Sequence, residues 1–231
     1  MPDFFADSIQ DQRVTFNKED SHHALKVLRL REGEALRVSV DGKRYEAVFE
    51  GGKELATAKI TGELESSEPG TRVTLYQGWP KGDKMEQIIR QCTEMGVYAV
   101  VPVVFSRCVA KPDNEKRLER LQKIAREAAM QSGRTIIPSV LSPIAVEELY
   151  TRLSQHELAL VPYEKERQSA LRETVKGQRD IALVIGPEGG ITENEIANMP
   201  AMPITLGRRI LRTETAGLAS IAMILALNND N

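Results

Sequence analysis

The spacing of apolar residues changes near residue 70, and that change rules out one uniform architecture for the chain. Across residues 34–60 apolar and polar side chains alternate. Leu36, Val38 and Val40 fall on one side, Arg37 and Ser39 on the other, and Ala47 and Phe49 alternate with Glu46 and Glu50. A period of two is that of a strand with one buried face, and Asp41-Gly42 supplies a two-residue hairpin turn between two such runs. Ser21 to Leu28 reads as a short helix ahead of this meander. Residues 1–70 are therefore expected to form a small β-rich barrel or sandwich, with Glu63 to Gly70 as linker.

From Val73 the rhythm becomes strand, helix, strand, helix. Val73 to Tyr76 is strand-like, and Asp83 with Glu86 forms a capping-box pattern for a helix burying Met85, Ile88, Ile89 and Cys92, with Gly96 as its stop. Val97 to Phe105 suits a buried strand, and residues 114–131 a long helix. Ser142-Pro143 is expected to open another helix. Leu158 to Val161, Ile181 to Ile185 and Ile204 to Leu206 read as strands. Thr192 and Glu195 cap a short helix, and Thr213 to Leu227 is an apolar closing helix. Alternation of this kind implies an α/β domain over residues 71–231 with a mostly parallel sheet.

Composition narrows the classes. Of 231 residues 41% are hydrophobic and 28% charged, a soluble globular balance. No apolar run approaches the roughly 20 residues that cross a bilayer, and no basic-then-apolar leader opens the chain, so a cytoplasmic protein is expected. Cys92, Cys108, His22, His23 and His156 have no metal-ligand spacing. Net charge is −2, with 10 basic against 14 acidic residues in the first 70 and 21 against 19 in the remainder. A polyanion would have to be held by local patches.

The chemistry concentrates in the last quarter. Leu183-Val184-Ile185 breaks into Gly186-Pro187-Glu188-Gly189-Gly190, and Leu206-Gly207 then opens a basic loop running to Arg212-Thr213-Glu214-Thr215-Ala216. Glycine removes the Cβ that would keep a ligand from main-chain N–H and C=O groups. The glycine-rich turn follows a late strand, not the first, and lacks the Gly-x-Gly-x-x-Gly pattern. A P-loop and a Gly-x-Ser-x-Gly nucleophile elbow are also missing, which disfavours dinucleotide oxidoreductases, P-loop NTPases and α/β-hydrolases.

Together these two segments resemble the SPOUT superfamily of S-adenosylmethionine-dependent RNA methyltransferases, and within it the ribosomal RNA small subunit methyltransferase E family. The resemblance extends through Lys81-Gly82-Asp83-Lys84-Met85-Glu86, Thr93-Glu94-Met95-Gly96-Val97, Gln131-Ser132-Gly133-Arg134 and His22-His23-Ala24-Leu25, almost the whole chain. It implies a PUA-like β-barrel, an α/β domain with a C-terminal deep trefoil knot, a homodimer, and methylation of uracil N3 in 16S ribosomal RNA, within the assembled small subunit. Another RNA position or a transfer RNA is the neighbouring reading, and a non-catalytic RNA-binding relative the more distant one.

The resemblance also assigns residues. Val161-Pro162, Gly186 to Gly190, and Leu206, Gly207, Ile210 and Leu211 should enclose the cofactor. Arg212 is expected to offset charge on the base or hold a phosphate, and Glu214 or Glu188 to assist loss of the uracil proton, since burial raises a carboxyl's pKa. Arg29 and Arg31, with Lys81, Lys84, Arg107 and Arg134, are the expected RNA phosphate contacts. Two departures stand out. Asp3 precedes Phe4-Phe5 where relatives commonly carry arginine, leaving Arg13 as substitute or an end that contacts RNA less. Arg208 stands where relatives often have proline.

Overall fold

The computed structural model describes residues 1–110 and 115–230. It divides into two compact units. Residues 129–137 group with Met1–Glu68 in the first, and Pro69–Ala128 with Pro138–Asn231 form the second.

The first unit is a five-stranded sheet in the order β1-β3-β4-β5-β2, built from β1 (Asp3–Phe5), β2 (Arg13–Thr15), β3 (Ala35–Val40), β4 (Lys43–Gly51) and β5 (Thr57–Leu64). The alternation has its expected consequence. Leu36, Val38, Ala47, Phe49 and Ala58 face one core with Phe4, Val14 and Phe16. Asp41 and Gly42 both take positive φ, 49° and 76°, which gives the β3–β4 hairpin the twist its strands need. The short helix arrives as α1 (Lys18–His22), which runs into a wider π-type turn over His23–Val27.

The second unit carries a parallel sheet ordered β12-β10-β11-β6-β7-β8, with β9 also on β7. Its strands are β6 (Arg72–Gly78), β7 (Ala99–Val104), β8 (Ser139–Val140), β9 (Ile144–Ala145), β10 (Leu158–Pro162), β11 (Asp180–Ile185) and β12 (Met202–Ile204). The helices are α2 (Lys84–Glu94), α3 (Glu115–Ser132, whose last turn groups with the first unit), α4 (Val146–Leu153), α5 (Leu171–Thr174), α6 (Glu193–Asn198) and α7 (Thr213–Leu227). Both faces of the sheet are covered. Ile181, Leu183 and Ile185 of β11 enter one apolar core while Ala182 and Val184 enter the other. Burial on both sides is why these strands read as continuous apolar runs.

Three local expectations change. Asp83 stands at the α2 N-cap without a side-chain cap bond; its carbonyl accepts from Glu86 N–H at 3.0 Å instead. Thr192 and Glu195, by contrast, make a complete capping box. Pro143 does not open a helix: Ile144–Ala145 pair with Val103–Val104 of β7, and α4 starts at Val146. The last strand lies two residues earlier than expected, because Met202–Ile204 align with Leu160–Pro162 and the chain then turns away. Residue 114, the expected start of the long helix, lies outside the described residues. Among the described residues no helix is long and apolar enough to cross a membrane.

Candidate active site

Strands β12, β10 and β11 are adjacent and parallel, so the segments that follow them leave the same edge of the sheet. The chain begins this sheet at β6, builds outward through β7, then returns to place β10, β11 and β12 on the other side. Crevices for ligands form at the carboxyl ends of strands beside such a reversal.

There the structure has a cleft of about 530 Å³ lined by Pro162, Gly186 to Gly190, Ile210, Leu211, Arg212 and Glu214, with Lys84, Tyr163 and Glu164. A smaller hollow of about 110 Å³ adjoins it, sharing Pro162, Ile210 and Leu211 and adding Leu206 and Gly207. All of the expected cofactor residues but one line these spaces. Val161 is 1% exposed and packs in the core beneath. Sequence reasoning stopped at Pro162 and missed Tyr163 and Glu164, which its own strand-end argument would have reached two residues later.

Glycine is needed at particular points. A Cβ on Gly78, at the end of β6, would sit 2.5 Å from the Pro187 nitrogen, and one on Gly186 would sit 2.8 Å from Ile191 Cγ1. The loop thus lies against the β6 terminus with bare backbone on both sides. Gly207 takes φ +109°, a conformation that favours glycine, although a Cβ there would meet nothing within 4 Å.

Polar contacts fix the loop. Thr213 Oγ1 donates to the Gly186 carbonyl at 2.7 Å, and the buried Gln77 Nε2 donates to Thr213 Oγ1 at 2.8 Å. Neither residue was among the expected site residues. A polar side chain at the end of an apolar strand, directly before a glycine, was the available signal for Gln77. Arg107 Nη1 donates to the Gly189 carbonyl at 3.2 Å. Lys81 N–H donates to Glu188 Oε1 at 3.2 Å.

Charges at the cleft form a cluster. Lys84 Nζ lies 2.9 Å from Glu188 Oε1 and 3.4 Å from Glu214 Oε2, and Arg212 Nη1 lies 3.9 Å from Glu214 Oε1. Partial burial pushes the Glu188 carboxyl up, but the Lys84 ammonium and the backbone N–H groups of Glu188 and Lys81 outweigh it and hold the group below its ordinary value. That is the reverse of the rise expected for a proton acceptor, and the contacts with Lys84 Nζ and Lys81 N–H tie this carboxylate to the segment that opens α2. Glu214 is different. Its side chain is 11% exposed and Oε2 is buried without a hydrogen bond among the described residues. Arg212 extends outward, its side chain 84% exposed.

The expected RNA contacts separate into three groups. Arg29, at φ +55°, and Arg31 are exposed on the first unit, and Lys81 is exposed on the second. Lys84 and Arg107 are engaged with the glycine loop. Arg134 is corrected outright: it is 5% exposed and groups with the first unit. Its Nε reaches both Glu68 oxygens at 3.2 Å, while Thr135 and Ile136 N–H donate to the same carboxylate at 2.8 and 3.0 Å. A buried guanidinium neutralised in this way is structural.

Comparison with known proteins agrees with this geometry. Residues 67–225 match the RNA methyltransferase domain family, and residues 16–61 the RNA methyltransferase PUA domain. The chain is 34% identical to the ribosomal RNA small subunit methyltransferase E of Bacillus subtilis, covering 89% of this chain and 87% of that protein. It is 35% identical to the protein of that name from Synechocystis, over 96% and 75% of the two. The crystal structure of the Neisseria gonorrhoeae ribosomal RNA small subunit methyltransferase E, bound to S-adenosylmethionine, superposes with a TM-score of 0.88 at 34% identity, covering 98% of both chains. The matched methyltransferase domain carries the cleft, and the chain belongs to the ribosomal RNA small subunit methyltransferase E family.

Proposed function

We infer that this protein is an S-adenosylmethionine-dependent methyltransferase acting on N3 of a uracil in 16S ribosomal RNA. The observation that carries the reading is the convergence of three strand-end loops on one cleft, with bare glycine backbone on one wall and Arg212 and Glu214 at its rim. The residues present suit the cofactor. Leu206, Ile210 and Leu211 offer apolar surface to a flat base, and the close approach at Gly78 and Gly186 leaves main-chain groups to read polar edges. When bound, the cofactor supplies an electrophilic methyl group.

The chain's own residues then have two tasks. They must position the uracil nitrogen, and they must manage its proton and charge. Arg212, its side chain extended and 3.9 Å from the Glu214 carboxylate, stabilises negative charge on the base or holds an adjacent phosphate. Glu214, largely buried and with its Oε2 held only by the 3.4 Å ion pair to Lys84, accepts the N3 proton. Arg29 and Arg31, exposed on the PUA-type unit, bind phosphates and contribute affinity without reading sequence.

Three further features belong to this reading. The chain leaves β12 at one edge and lays α7 against α2, β6 and β11, a path that supports a deep trefoil knot. Met223 and Leu227 of α7 are 40% and 39% exposed, which supports a homodimer formed on that helix. The ribosomal RNA named for the relatives supports action on the assembled small subunit, in the cytoplasm.

The test is to incubate small ribosomal subunits lacking the modification with protein and S-adenosylmethionine, then locate methyl groups by nuclease digestion and mass spectrometry. One 3-methyluridine in 16S RNA is expected. Methylation at another position or on transfer RNA would move the assignment to that substrate, and incorporation into neither would overturn it.

A further inference from the structure

The buried amide of Gln77 makes a relay that joins three separate elements. Gln77 is fully buried at the end of β6, and its Nε2 donates to the Gly78 carbonyl at 3.1 Å and to Thr213 Oγ1 at 2.8 Å. Thr213, the first residue of α7, donates through the same Oγ1 to the Gly186 carbonyl at 2.7 Å. The directions are forced. A carbonyl only accepts, so Gly78 fixes Nε2 as the donor end of the amide. The threonine oxygen, having accepted from Nε2, must send its own proton to Gly186.

This arrangement has a cost. Gln77 Oε1 is buried with no hydrogen-bond partner among the described residues. An apolar side chain of similar size would avoid that penalty and suit a strand whose neighbours Leu75 and Tyr76 are core residues. What the amide supplies instead is a fixed distance between the first glycine of the loop and the first turn of α7. Gly186 and Thr213 both line the cleft. Gly78 lies where no side chain could, against Pro187.

We propose that Gln77, acting through Thr213, is a positioning residue that holds the Gly186 backbone in the conformation that receives the methyl donor. The inference rests on the methyltransferase reading above. Gln77 lines neither cavity, so it acts on bound molecules only through the threonine and the loop.

Calorimetry with S-adenosylmethionine on Gln77→Leu, Thr213→Val, Thr213→Ser and the Gln77→Leu/Thr213→Val double variant tests it, with thermal unfolding followed in parallel. Losing the bonds should weaken cofactor binding about tenfold in each of Gln77→Leu and Thr213→Val. Thr213→Ser, which keeps the hydroxyl, should recover most of the affinity that Thr213→Val loses. Because the two residues form one chain of bonds, the double variant should be no weaker than the weaker single variant. Gln77→Glu adds a signature that lost packing would not give: an ionised carboxylate cannot donate, so its cofactor affinity should fall as pH rises. Folded variants that bind like wild type, or strictly additive losses, would overturn the proposal. A wild-type protein that binds no S-adenosylmethionine would overturn the functional reading itself, a separate outcome.

Discussion

The cleft has two glycine-bearing walls, and they are built on opposite plans. The Gly186–Gly190 loop is tied at nearly every residue: Thr213 on the Gly186 carbonyl, Gly190 N–H on the Pro187 carbonyl, Arg107 on the Gly189 carbonyl, and Lys81 and Lys84 on the Glu188 carboxylate. The Gly207–Arg212 loop is held near its ends. Gly207 N–H donates to Thr205 Oγ1 at 3.2 Å and the same Oγ1 donates to the Gly207 carbonyl at 3.4 Å, while Thr215 and Ala216 N–H donate to the Arg212 carbonyl at 2.9 and 2.8 Å. Ile210, in the middle of the loop, is 84% exposed. Preorganised groups lose little entropy on binding, whereas exposed ones must be ordered by what they bind. The first wall is therefore the more fixed of the two, a template, and the second a basic, exposed flap with fewer anchors.

The largest effect should come from filling the template. In Gly78→Ala the new Cβ would meet Pro187 backbone at 2.5 Å, where no side chain can give way. Overpacking of this kind costs about 1–3 kcal/mol, and the displaced loop should lose measurable cofactor binding. The matched change in the other wall, Gly207→Ala, meets open space and carries only the strain of its positive φ, about 1 kcal/mol. Thermal unfolding and calorimetry on the pair check this. Equal losses would dissolve the contrast between the walls. Next in size is Arg212→Ala, which should lower methyl transfer on the order of a hundredfold while leaving cofactor affinity intact. Full turnover would remove Arg212 from the chemistry.

The same contrast explains what could be read from the chain alone. Strand and helix periods, the Asp41-Gly42 turn and α7 at Thr213–Leu227 were legible because each is set by local spacing. The glycine loop, which alone could be an ordinary turn, was legible because Leu206 to Ala216 accompanies it and the two together resemble a known family. Gln77 and the Glu68–Arg134 pair were not, since their partners lie 136 and 66 residues away and either residue looks like an ordinary polar side chain. Arg134 read as an RNA contact for that reason. A charge's role depends on whether an opposite charge is folded against it, and that is a property of topology rather than of spacing.

The flap gives a smaller, graded prediction. Arg208 and Arg209 are exposed beside the hollow that Arg209 helps to line. If they meet RNA phosphates, neutralising both should reduce the slope of log affinity against log salt by about 2. The same change in Arg29 and Arg31 tests the first unit. An unchanged slope excludes the pair concerned from the interface.

Lys84 separates the two walls with the smallest effect. As a free cation it would contribute to the salt slope; as a clamp on Glu188 and Glu214 it should not. Lys84→Met is therefore expected to leave the RNA salt slope unchanged and to lower the melting temperature slightly, as for other solvent-accessible ion pairs. The sign of its pH dependence follows from both partners. Partial burial tends to raise the Glu188 carboxyl, but Lys84 is prominent among the groups that outweigh it and hold the folded value below the ordinary 4.5. That part of the stability is present above pH 4.5 and lost as pH falls through the lowered value. Lys84 is itself raised above 10.5, chiefly by its hydrogen bond to Glu188, so the benefit is also lost as pH rises through that higher value. The melting-temperature gap between wild type and Lys84→Met should be widest near neutral pH and close at both extremes. A gap independent of pH, or a salt slope smaller by about 1, would return Lys84 to the RNA-binding surface and leave the glycine loop without its clamp.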